Sequence, residues 1–183
     1  MHGQIEQEDH DALVGRLREL GLRFLAPSDA DANELSGLPA QELIARLVMH
    51  RDARLRLALV PVLILHPEWV SEVQSAVQQL SGPMRSQLQV LYTAAVYLQR
   101  LWRTRLGFYL GEVEMLPDLY SDVLGLPPAG ERHGKTGLHA LATWQAGRSP
   151  QPFNWLASYN KVIDLLFERL KMEAKHRESA TTG

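Results

Sequence analysis

Apolar residues recur along most of the chain at intervals of three and four, the spacing that lines one face of an α-helix. Leu13, Val14, Leu17 and Leu20 make the first such stripe, over Asp9 to Leu20, with Gly21 as its stop. Residues 26–38 are turn-rich and acidic, and a stray hairpin is the most sheet expected, near Arg23–Ala26. Pro39 opens a second helix with the stripe Leu43, Ile44, Leu47 and Val48. From Arg51 to Leu65 the pattern is ambiguous. Val60, Val62 and Ile64 suit a buried strand, but Pro61 would remove a ladder hydrogen bond, so a helix kinked or broken near Pro61 is expected. A further helix over Glu68 to Leu80 buries Trp69, Val70, Val73, Ala76, Val77 and Leu80.

The clearest periodicity lies between residues 83 and 106. Met84, Leu88, Leu91, Ala95, Leu98 and Trp102 form one row, and Val90, Ala94, Tyr97 and Leu101 lie beside it. So wide an apolar face predicts a central helix over 84–106. After Gly107 the chain is mainly loop, with a short helix near Pro117 and another over Leu138 to Ala146. Asn154 caps a last helix running to about Arg177, with Trp155, Tyr159, Val162 and Leu166 in one buried row and Leu156, Ile163, Phe167 and Leu170 in another. The sum is an all-α chain of about seven or eight helices. A single compact bundle over 1–183 is expected, frayed at 1–8 and 178–183, with helical-repeat-like pairs in 39–80.

Composition removes several classes of function. The chain of 183 residues has formal net charge −2 and no cysteine. It is therefore no general nucleic-acid coater, has no disulfide or thiolate metal framework, and suits a reducing cytoplasm. The N-terminus lacks the pattern of an export signal, and the apolar run Leu57 to Leu65 is too short to cross a bilayer. No cofactor or resident metal is expected. The histidines are scattered, the lone Glu173/His176 pair reads as a solvated helix end, and Asp118 with Asp122 reads as an acidic helix start. His66, before Pro67, ends a helix, with its ring in reach of a last-turn carbonyl.

Residues 129–136, AGERHGKT, fit a relaxed phosphate-loop pattern in which Lys135 and backbone amides would hold an anion. No strand precedes it, and its first glycine is Ala129, so a nucleotide or phosphate binder acting through Lys135 is the third reading. In the same stretch Arg132 and His139 are spaced like the Arg-x4–6-His motif, and this resembles the HEPN family of helical RNA-binding and RNA-cleaving proteins. That resemblance implies the pair acting at a scissile phosphate, with His133 where the family has a polar residue. Gly134 and Gly137 are expected to break the local helix. It is the alternative reading, and the one in which nucleic acid is a partner.

Charge is segregated. From Met84 to Gly111 there are four arginines and no acid, whereas 112–122 hold Glu112, Glu114, Asp118 and Asp122 with no base. A second cluster, Arg46, Arg51, Arg54 and Arg56, faces only Asp52. Arginine is the usual cation of protein interfaces. A partner-binding surface is expected from Arg46, Arg54, Arg100, Arg103 and Arg105, the opposed reading being internal pairing with Glu112, Glu114 and Asp118. Arg46, His50 and Arg54 would share a face if their helix continues through residue 50, and Arg100 and Arg103 would lie one turn apart on the central helix.

The segments RLRLALVPVLILHPEW, YTAAVYLQRLW and PFNWLASYNKVIDLL resemble a family of small prokaryotic helical proteins encoded beside minimal nucleotidyltransferases. The resemblance spans most of the chain. It implies an antitoxin-like companion, a non-catalytic protein-interaction module that binds and regulates a neighbouring enzyme, and it carries no catalytic residues.

Overall fold

A computed structural model describes residues 2–22 and 37–181. The expected hairpin near Arg23–Ala26 and most of the acidic 26–38 connection lie outside the described residues. Among those described there are eight α-helices and no strand, in agreement with the all-α expectation. The chain forms two compact units, Met1–Gln89 and Val90–Gly183.

The first unit holds α1 (His2–Glu19), α2 (Ala40–Met49), α3 (Ala53–Leu65) and α4 (Val70–Gln79), with a 3-10 turn at Pro67–Trp69. α1 begins well before Asp9, so residues expected to fray are helical. It ends as anticipated at Gly21, whose φ of 82° supplies the left-handed step. The Leu22 amide donates to the Leu17 carbonyl and the Gly21 amide to Arg18, a Schellman cap that buries Leu17 and Leu22. Leu43, Ile44, Leu47 and Val48 of α2 are buried as their spacing requires, and α2 packs on both α3 and α4. α3 is buried on all sides from Ala58 to Ile64. Pro61 lies within it and does not divide it, so of the kink or break expected there the break does not occur.

His66 is oriented differently from the expectation. Its Nδ1 is 2.9 Å from Glu68 Oε1 and its ring stacks on Trp69, so it faces forward into the next turn instead of back to a carbonyl.

α5 (Gly82–Leu101) stands where the helix over 84–106 was expected, and the division between the units falls within it. Every residue from Val90 to Gln99 is buried, including Leu91, Ala95 and Leu98. Met84, assigned to the same row, is 37% exposed on the first turn. The helix does not run unbroken to 106. Trp102, at φ −107° and ψ 16°, separates α5 from α6 (Arg103–Leu110), although the amides of Trp102 and Leu106 still find carbonyls one turn back.

The second unit continues through an irregular segment to a 3-10 turn (Glu131–Gly134), α7 (Lys135–Ala146) and α8 (Trp155–Thr181). α8 packs on α6 and α7. The Asn154 side chain accepts from the Ala157 amide, capping α8 as expected, and the helix runs on to Thr181 through residues expected to fray. No helix of the described residues is long and apolar enough to cross a membrane.

Candidate functional site

Buried polar side chains of α5 hold the irregular segment that follows α6. Gln99, fully buried, donates to the Glu114 carbonyl and accepts from the Leu116 amide, at 2.8 and 2.7 Å. It thereby supplies the pairing a neighbouring strand would give. Arg100 donates to the Leu116 carbonyl at 3.0 Å, Tyr92 to Pro117 at 2.8 Å and Tyr97 to Pro127 at 2.6 Å. Burial raises the Tyr92 and Tyr97 phenols above their ordinary range, which keeps both hydroxyls as neutral donors.

No helix forms near Pro117. Asp118 instead accepts from the Ser121 hydroxyl and the Ala129 amide, and a turn over 121–125 closes at Gly125 (φ 68°). The Asp118 carboxylate is thus committed to the loop and does not pair with Asp122 on a helix face. Among the described residues no group of three metal-ligating side chains gathers.

The 129–136 segment follows directly. The Ala129 amide is taken by Asp118, the Glu131 amide by the Pro128 carbonyl and the His133 amide by Gly130. A phosphate cradle needs free, converging amides, and these three are spent inside the loop. Lys135 stands exposed on the first turn of α7. Gly137 lies inside α7 and does not break it; only Gly134 falls outside, as its N-cap. Both glycines are needed for close approach. A Cβ on Gly134 would lie 2.4 Å from the Tyr97 carbonyl oxygen, and one on Gly137 2.3 Å from the Tyr97 ring.

Arg132 and His133 are left-handed at φ 44° and 54°, both exposed. For residues with a Cβ this costs about 1–2 kcal/mol each. His139 is exposed on α7, and no hydrogen bond joins it to Arg132 among the described residues. Replacing Arg132 and His133 by glycine is expected to raise stability by about 0.5–1 kcal/mol per site, the relieved strain exceeding the added chain entropy. Thermal melting of the two single variants and the double checks this; a fall in Tm would show that the side chains themselves hold the turn.

The five arginines assigned to a partner surface have different environments. Arg46 bridges to Glu42 at 2.6 Å, an exposed i,i+4 pair. α2 ends at Met49 and His50 is extended, so Arg46, His50 and Arg54 do not share one helix face. Instead the Asp52 amide donates to His50 Nδ1, and Asp52 caps α3 through the Arg54 amide. Arg100 is half-buried on the Leu116 carbonyl, a structural role met by a carbonyl and not by Glu112 or Glu114. The break at Trp102 places Arg103 on a different helix from Arg100.

The Arg54 side chain is exposed on the first turn of α3, which leaves Arg103 and Arg105. Both are exposed on α6, and among the described residues neither forms an ion pair with a carboxylate. The Arg105 guanidinium lies 4.0 Å from the Phe167 ring centre. Beside them Phe108 is 80% exposed, its ring edge-on to Tyr109, which leans on Phe167. No family model, curated protein or solved structure matches the chain.

Proposed function

We propose that the chain is a non-catalytic protein-interaction module, an antitoxin-like companion that binds and regulates an enzyme such as a nucleotidyltransferase encoded nearby. The observation that carries this is the α6 face. Arg103 and Arg105 are exposed and form no ion pair among the described residues, and Phe108, one turn on from Arg105, is 80% exposed. Cations beside an exposed aromatic anchor are the ingredients of an interface centre. Leaving such a ring in water is unfavourable, and a partner surface with an apolar pocket and carboxylates relieves both conditions.

The test is co-expression with the nucleotidyltransferase encoded nearest the gene. The two proteins are expected to co-elute. Arg103→Glu with Phe108→Ala is expected to weaken the complex by more than about tenfold, about 1.4 kcal/mol or more. Both side chains are exposed, so Tm is expected to stay within a few degrees of wild type. No co-elution with the wild-type chain would overturn the reading.

Strain at Arg132 is the one observation on the side of the RNA-directed alternative. That alternative requires cleavage of single-stranded RNA by the purified chain, lost in His139→Ala.

A further inference from the structure

We infer that His50 is a pH-sensitive latch on the corner between α2 and α3: its neutral ring holds the corner closed, and protonation of the ring releases it. The corner lies in the first unit, so the inference stands apart from the α6 reading.

Only His50, Arg51 and Asp52 join the two helices. Side chains tie this connection together. The Asp52 amide donates to His50 Nδ1 at 3.0 Å, and the Asp52 carboxylate accepts from the Arg54 amide at 2.7 Å. The Arg56 guanidinium donates to the His50 and Arg51 carbonyls at 2.7 and 2.8 Å. Of these ties, the first depends on the side chain that ordinarily changes charge near neutral pH. An imidazole nitrogen that accepts a hydrogen bond carries no proton, so the neutral ring keeps its proton on Nε2. An imidazolium carries a proton on both nitrogens. The Nδ1 proton would then face the Asp52 N–H, donor against donor, and the tie is lost.

The surroundings act in the same direction. The His10 ring, on α1, lies 5.5 Å from the His50 ring at 51°, and α1 packs on both α2 and α3. Among the groups in contact with His50 are thus a second imidazole and the Arg56 guanidinium, and neither favours an added positive charge there. The same elements also carry Arg46, Arg51 and Arg54. Their acids are Glu42, bridged to Arg46, Asp52, taken by the Arg54 amide, and Asp11, next to His10 in α1. The folded corner selects the neutral ring, and the unfolded chain does not. The latch is therefore closed above the ordinary histidine range, about pH 6.5, and opens as pH falls below it. Opening frees the backbone at Asp52, the N-cap of α3, and with it the exposed Arg51 and Arg54 on either side.

The experiment is nitrogen-15 NMR on the full chain. Near pH 7.5, above the ordinary histidine range, wild-type His50 is expected as the Nε2–H tautomer. Between about pH 7.5 and about pH 5.5, which bracket that range, exchange protection of the Asp52 amide is expected to fall at least about tenfold, after correction for the intrinsic pH dependence of exchange. His50→Asn offers a side-chain oxygen in place of Nδ1 and cannot be charged, and it is expected to keep the protection at both pH values. His50→Ala has no acceptor and is expected to lack the protection at both. An Nδ1–H tautomer, wild-type protection indifferent to pH, or a His50→Asn chain that loses as much protection as wild type would each overturn the latch. The tautomer and the wild-type exchange need no variant, so they decide the matter if a variant does not fold.

Discussion

Leu98→Ala is expected to lower the unfolding free energy by about 2–5 kcal/mol. Leu98 is fully buried in the stretch of α5 where every residue from Val90 to Gln99 is enclosed. Truncation removes the transfer energy of the lost carbons and leaves a cavity. The neighbours cannot easily collapse into it, because the flanking Tyr97 and Gln99 are buried and tied to Pro127, Glu114 and Leu116. Urea denaturation followed by circular dichroism measures the change. A loss below about 1 kcal/mol, the usual scale of surface substitutions, would contradict the burial described.

Gly134→Ala is expected to be about as costly, again about 2–5 kcal/mol, through two effects that add. At φ 83° the new side chain meets left-handed strain of about 1–2 kcal/mol. Its Cβ also falls 2.4 Å from the Tyr97 carbonyl oxygen, against helix backbone that cannot swing aside, and overpacking of this kind costs typically about 1–3 kcal/mol. Gly130→Ala is the control, since its φ of −71° is ordinary and a Cβ there meets nothing within 4 Å. Equal melting temperatures for the two variants would remove the close approach of Gly134 to Tyr97.

The core was largely legible in the sequence because burial imposes a period. The stripes of α1, α2 and α8 follow the 3.6-residue repeat and are buried where that repeat places them, except at the ends, where Leu20, Trp155 and Leu156 are only half-buried. Legibility failed where a backbone choice was decided by tertiary contact. Pro61 is a helix breaker by local propensity, yet the enclosed α3 carries it without dividing. Trp102 continues the apolar row of α5 but begins a new helix. Asp118 has the signature of a helix start, but its carboxylate serves Ser121 and Ala129 across the loop. The arginines were found by counting charge, which cannot tell Arg100 on a carbonyl from Arg103 in solvent. Phe108 is the same kind of gap: an aromatic pair inside an apolar run gives no sign of which ring points outward.

The way Gln99, Arg100, Tyr92 and Tyr97 hold the segment after α6 bears on how such a protein can change length over evolutionary time. Rich in proline and glycine and without regular structure, residues 112–130 look like a place where insertions would be absorbed. They are not a free connection. The carbonyls of Glu114, Leu116, Pro117 and Pro127 are each assigned to one side chain of a buried helix. An added or deleted residue between 114 and 117 would put that register out and leave Gln99 without its paired amide and carbonyl. Descendants of this sequence are therefore expected to keep the spacing from Glu114 to Pro117 fixed, and to vary in length between Gly147 and Asn154, where the backbone makes fewer such commitments.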